Sequence, residues 1–163
     1  MASIEKTADS EPTAEPADSR RILRFRAAGV ACACDLDVVR EIVRTRPLAR
    51  LPGAPTWVIG IMNLRGTLLT VVDLSVRLGG VTEGGPGGVP RVVMVVEGAG
   101  KRFGIGVESV QGVADMATAA IEPVDAQRAS GGVIGGLVHL GEDGADTAQW
   151  CAVEAIARES LAV

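Results

Sequence analysis

Between Leu51 and Leu78 the chain carries two apolar runs, Trp57 to Leu64 and Thr67 to Leu74, that meet at Arg65-Gly66. Runs of this length, bounded upstream by Pro52 and Pro55 and split by Gly66, predict two buried strands joined by a tight hairpin. Glycine supplies the positive φ that such turns require. If side chains alternate, Asn63 and Arg65 share one face with Ile59 and Ile61, while Met62 and Leu64 share the other. The hairpin tip then carries an amide and a permanent cation.

The pattern before and after this hairpin is also strand-like. Met1 to Ser19 is polar, rich in Ala, Glu, Pro and Ser and without periodicity, and reads as a disordered tail ahead of one folded unit over residues 20–163. Leu23, Phe25 and Ala27 alternate with Arg24 and Arg26 as in a half-exposed strand, and Gly29 marks a turn. An extended Val30 to Val43 would place Cys32, Cys34 and Leu36 on one face and Ala33, Asp35 and Asp37 on the other. Pro47, Pro52, Gly53 and Pro55 then make a rigid connection into the hairpin. After it, Asp73 is placed to cap a short helix over Leu74 to Leu78 that Gly79 and Gly80 end. Gly84 to Pro90 reads as a flexible link. Arg91 to Val96 predicts a buried strand, Gly98 to Lys101 a turn, and Arg102 to Val113 a further strand pair. Val153, Ile156, Ala157 and Leu161 recur at the spacing of one face of a C-terminal amphipathic helix.

The chain also repeats itself. Arg21 to Ile42 lies on Arg91 to Val113 so that Ala33 meets Gly104, Asp37 meets Glu108 and Val39 meets Val110, an offset of 110 − 39 = 71. Val58-Ile59-Gly60 meets Val133-Ile134-Gly135 at an offset of 133 − 58 = 75, and Gly66 meets Gly141 at the same offset. Two short strand-rich units predict an all-β fold with short helices, built as two small β-barrels packed together, since open sheets this short would expose their edges.

Composition narrows the function. The 163 residues, 47% hydrophobic, are enough to bury a sizeable core without metal or disulfide support. A net charge of −4 argues against general nucleic-acid binding, which calls for a concentrated basic face. Three cysteines make no even framework, no positive-then-apolar leader opens the chain, and no apolar run reaches the ~20 residues of a membrane span. The expectation is a cytoplasmic protein without direct membrane insertion.

Candidate chemistry is sparse. Cys32 and Cys34 resemble two metal ligands, but only Cys151 and His139 could complete a closed site, and buried thiols are the simpler reading. His139 is the only histidine and has no nucleophile motif or partner histidine at metal-binding spacing. Gly84 to Gly88 lacks the Lys and Ser/Thr of a phosphate loop. No catalytic set, metal or cofactor is expected. Arg65 admits two readings: a structural ion pair with Asp73 or Glu41, or a donor fork held rigidly for a partner.

VVREI at Val38 to Ile42, the hairpin LPGAPTWVIGIMNLRGTLLTVVDL at Leu51 to Leu74, and FGIGVESVQGV at Phe103 to Val113 together resemble the CheW family of chemotaxis coupling proteins. The resemblance covers about Arg20 to Ile156. It implies two SH3-like barrels, no catalytic activity, and a scaffold in two-component signal transduction. The implied partners are the regulatory domain of a chemotaxis histidine kinase and the cytoplasmic helical tip of a chemoreceptor. A non-flagellar motility or other chemosensory-type pathway, or a Cys-based redox or metal-binding role, are the alternatives. Carried over residue by residue, the resemblance assigns partner contact to Val39, Glu41, Gly60, Asn63, Arg65 and Gly66, and association with membrane receptor arrays through those partners.

Overall fold

The computed structural model describes residues 19–82, 88–117, 120–125, 132–141, 144 and 146–160. The expected tail lies outside them except for Ser19, which opens the first strand, and residues 84–87 of the glycine link and Leu161 also lie outside.

The first unit runs β1 (Ser19–Ala27), β2 (Val30–Asp35), a 3-10 turn (Leu36–Val38), β3 (Val39–Arg44), β4 (Leu48–Ala49), β5 (Val58–Leu64), β6 (Thr67–Asp73) and helix α1 (Leu74–Arg77). The second runs β7 (Val92–Gly98), β8 (Lys101–Val107), β9 (Ser109–Ala117), β10 (Ile121–Pro123), β11 (Ile134–Leu140), β12 (Asp146–Cys151) and helix α2 (Val153–Ser160). The all-β class with short helices holds. One expectation fails locally: Val30 to Val43 is not extended throughout. Asp35 accepts a bond from the Asp37 amide at 3.3 Å and starts the 3-10 turn, so Leu36 and Asp37 leave the strand faces assigned to them.

The strands form two six-stranded sheets, ordered β3-β7-β8-β6-β5-β4 and β10-β11-β12-β2-β1-β9. The end strands of each order are not paired with one another, so the barrels are open. Each sheet also borrows the leading hairpin of the other unit: β8 lies parallel to β6, and β2 lies parallel to β12. The two halves are therefore interlocked and are not barrels made from consecutive sequence.

The repeat is real and can now be placed in register. The turns Ala28-Gly29 and Ala99-Gly100 share near-identical positive φ values, 53° and 74° against 52° and 76°, which confirms the offset of 71. The later offset is 76 and not 75. Val58 and Gly60 flank a bulge in β5 as Ile134 and Gly136 do in β11, and the two strands share one burial pattern. Gly60 thus corresponds to Gly136, and Gly141 takes the place of Arg65 (141 − 76 = 65). A one-residue slip matters because it exchanges the two faces of a strand.

The largest core cluster is shared by both sheets, with Phe25 and Cys32 from one, Met94, Phe103 and Ile105 from the other, and Ile156 of α2 closing it. A separate core fills the interior under the hairpin, where Met62, Leu69, Val71, Val93 and Val95 meet. Asp73 is fully buried, and its Oδ1 accepts from the Ser75 amide at 3.0 Å and more weakly from that of Val76, while Oδ2 accepts from the Thr82 hydroxyl. The expected cap is present. Across the units, Arg77 of α1 pairs with Glu159 of α2 and stacks its guanidinium 4.8 Å from the centre of the Trp57 ring. That joint is mostly enclosed, so it is screened less than a surface pair.

Candidate functional site

The hairpin tip is a two-residue turn with positive φ at both positions, 50° at Arg65 and 85° at Gly66. This is the turn whose twist matches that of antiparallel strands. The Asn63 side-chain oxygen accepts from the Gly66 amide at 2.8 Å, so the amide at the tip serves the turn itself. Faces fall as the alternation predicts: Met62 and Leu64 are buried, Ile59 and Ile61 half-buried and Asn63 exposed.

Arg65 reaches across to β3. Its Nη1 donates to Glu41 Oε2 at 3.0 Å and its Nη2 to Oε1 at 2.6 Å, a two-point fork. Of the two structural partners considered for Arg65, Glu41 is the one used; Asp73 is occupied as a cap. The pair does not bury the arginine, whose side chain remains 66% exposed. Below it a cleft of about 90 Å³ is lined by Leu64, Leu69, Val95 and Arg102. Arg40 and Arg102 both pair with Glu97 nearby and hold its carboxyl below the usual range, Arg40 through the larger hydrogen-bond contribution. The exposed face is thus an ordered set of charges on adjacent strands.

The structure brings Glu41, Asn63, Arg65 and Gly66 together. Val39 and Gly60 stand apart. Val39 precedes a bulge in β3, pairs with Val96 and packs on the shared core. Gly60 is buried, with φ of 147° and its α-carbon facing the carbonyl of Ala49 on β4. One residue that the sequence reading missed belongs to the tip: Leu68, 68% exposed and directly opposite Asn63. The signal was present, since a two-residue turn after Leu64 places Leu68 across from Asn63 and hence on the solvent side.

The second hairpin lacks this equipment. His139 occupies the place of Asn63 (139 − 76 = 63) and lies 3.0 Å from Glu122, but the tip position of Arg65 is Gly141 and that of Glu41 is Gly112 (112 − 71 = 41). Among the described residues, the tip of the first hairpin carries a cation and that of the second does not.

The three cysteines are reduced, buried and close to one another in the shared core. Burial first, then the neighbouring Asp35 and Cys32, pushes the Cys34 thiol up to about 12, and a hydrogen bond with Cys32 together with burial raises that of Cys151. Thiols held protonated are poor nucleophiles and poor ligands. Among the described residues no group of three or more His, Cys, Asp or Glu could hold a metal. The raised thiol makes a pH prediction. The unfolded chain loses the Cys34 proton from about pH 9 while the folded one keeps it to about 12, so stability is full below 9 and falls as pH rises between them. By pH 11 the Cys34 contribution is a loss of about 2 to 3 kcal/mol. Urea melts at pH 8 and 11 should show a smaller alkaline loss in Cys34→Ala than in the wild type.

Comparison with known proteins accords with this architecture. The CheW-like domain family matches residues 21–160. The chain belongs to the CheW-like family. A chemotaxis protein CheW of Rhizobium meliloti is 31% identical over 104 residues, which cover 64% of this chain and 66% of that protein. Protein PilI of Pseudomonas aeruginosa is 37% identical over 89 residues, 55% of this chain and 49% of its own length. The scaffolding protein TtCheW of Thermoanaerobacter tengcongensis superposes with a TM-score of 0.69 at 25% identity, over 82% of this chain and 88% of its own. The interlocked CheW-like fold and the assignment to a scaffold family follow. Among the described residues no helix is long and apolar enough to cross a membrane.

Proposed function

We propose that the protein is a non-catalytic coupling scaffold that tethers a chemotaxis-type histidine kinase to the cytoplasmic tips of chemoreceptors. The observation that carries the reading is the Arg65 fork, positioned by a rigid turn and by Glu41 yet left exposed, on a hairpin that also exposes Leu68. A fixed planar donor group on a hairpin that also exposes an apolar side chain has the composition of an interface anchor. In this reading the hairpin face meets the kinase regulatory domain through Glu41, Asn63, Arg65, Gly66 and Leu68, with Val39 and Gly60 shaping the strands behind it. A receptor helix lies along the join of the two sheets, held by apolar anchors at i, i+3, i+4 and i+7. Such a scaffold alters kinase output by binding one kinase conformation more tightly than another. The protein works in the cytoplasm and reaches the membrane through its receptors.

The likeness to PilI, a relative whose name does not specify chemotaxis, supports a second reading in which the same coupling serves another chemosensory-type or non-flagellar motility pathway. Affinity capture with the tagged chain from native lysate distinguishes them. Mass spectrometry should identify a histidine kinase and a methyl-accepting receptor in one eluate, and the receptor gene's neighbours name the pathway. Capture of neither class would sink the coupling reading.

A further inference from the structure

The charges of this acidic chain are unevenly distributed. Residues 42–72 contain no Asp or Glu and four arginines, Arg44, Arg46, Arg50 and Arg65, in a protein of net charge −4. Arg65 has Glu41. The other three, together with Arg91, make no ion pair with any carboxylate among the described residues, and all four are exposed. Every other described arginine holds a carboxylate or, for Arg26, a backbone carbonyl.

These four are not scattered. Arg44 ends β3 and Arg91 precedes β7, and the Thr45 amide donates to the Arg91 carbonyl at 3.0 Å, so the two arginines flank one strand junction. They line a cleft of about 450 Å³. Val89 is shared with a second cleft, of about 710 Å³, that Arg50 borders and whose walls are formed by Pro52, Pro55 and Ile59. Arg46 lies between Arg44 and Arg50 in the chain. The result is a concave surface of two clefts joined at Val89, with a cationic edge and a lining of mixed polarity to which Pro52, Pro55, Ile59 and Pro90 give apolar contacts.

We infer that this surface is a docking groove for an acidic, extended segment of a partner protein. Like charges gathered without counter-charges among the described residues repel one another, and that repulsion is relieved when carboxylates arrive. Guanidinium groups take carboxylates through two parallel hydrogen bonds, and the prolines and Ile59 offer apolar contact to the residues between them. Long polyanions fit less well, because a duplex or an anionic bilayer extends far beyond the ~10 Å screening length and meets the net negative remainder of the protein. A short segment touches only the groove. The inference is independent of the coupling reading.

The test is fluorescence anisotropy of a labelled peptide of repeated Glu-Pro-Leu titrated with the full chain at 50 mM salt. The peptide should bind, its affinity should fall about tenfold or more in Arg44→Gln/Arg50→Gln/Arg91→Gln, and it should fall about fivefold at 300 mM salt. Arg21→Gln/Arg158→Gln, which removes arginines already paired elsewhere, should stay within about twofold of the wild type. If the triple variant does not fold, Arg44→Gln and Arg91→Gln alone should each weaken binding about threefold. Absent binding, unchanged affinity in the arginine variants, or equal loss in the control would overturn the groove. So would tighter binding of duplex DNA or phosphatidylglycerol vesicles through the same arginines. The first 18 residues carry five acids and one lysine, and neutralising those acids in the full chain should not change probe affinity. A tenfold gain would make the tail the occupant and overturn the assignment to a partner.

Discussion

Arg65→Ala is expected to reduce capture of the kinase and receptor partners at least tenfold while moving the unfolding midpoint by no more than about 3 °C. The two effects separate because the arginine contributes differently to the free and bound states. In the free protein its side chain is 66% exposed, and an exposed pair such as Arg65–Glu41 contributes at most about 1 kcal/mol. At an interface the same fork is desolvated, and truncating an arginine anchor there costs about 2 kcal/mol or more. Replacing Glu41 by Gln tests the pair from the other side: it removes the carboxylate that orients the fork and should weaken capture by less than Arg65→Ala does. Affinity capture and differential scanning calorimetry on the same preparations decide the matter. A fall in midpoint that accounts for the lost capture would make Arg65 a structural residue and leave the coupling site elsewhere.

Much of this architecture was legible because strand alternation and turn chemistry are local. The hairpin at Arg65-Gly66, the cap at Asp73 and the burial of Met62 and Leu64 each follow from residues within a few positions of one another. The repeat was legible too, but its second offset slipped by one, because glycines and small apolar residues match in either register and only the paired bulges at Gly60 and Gly136 fix it. The exchange of leading hairpins was not legible. It depends on parallel pairing of β6 with β8 and of β2 with β12, which no local pattern records. The 3-10 turn after Asp35 was missed because a side-chain bond to the Asp37 amide outcompeted strand periodicity. At the candidate site, the charge at the tip is readable while the exposure of Leu68 is less so, since an unbroken apolar run predicts burial on both faces. The arginine groove was hidden for a different reason. Its charges are visible in the sequence, but that they pair with no carboxylate among the described residues is a property of three dimensions.

Gly60 and Gly66 were assigned to one site by sequence and should behave differently on substitution by alanine. At Gly60 the backbone φ is 147°, and an added Cβ would lie 2.5 Å from the Ala49 carbonyl oxygen and 3.2 Å from its carbon. The clashing atoms are backbone, so relief requires β4 to move away from β5, and the unfavourable φ adds its own strain. Gly60→Ala is therefore expected to cost about 3 kcal/mol or more in urea unfolding. At Gly66 the φ is 85° but nothing lies within 4 Å of an added Cβ, so Gly66→Ala should cost only about 1 kcal/mol. Gly136 offers an internal control for the clash alone: its added Cβ would meet the Glu122 carbonyl oxygen at 2.8 Å without an unfavourable φ, so Gly136→Ala should be destabilising but less so than Gly60→Ala, on the hairpin that has no arginine at its tip. If Gly60→Ala loses partner capture only in proportion to the unfolded fraction, the glycine acts by letting β4 approach β5 and so placing the strand that carries Arg65. A Gly60→Ala protein that keeps its stability within about 1 kcal/mol and still loses capture would instead put Gly60 in direct contact with the partner.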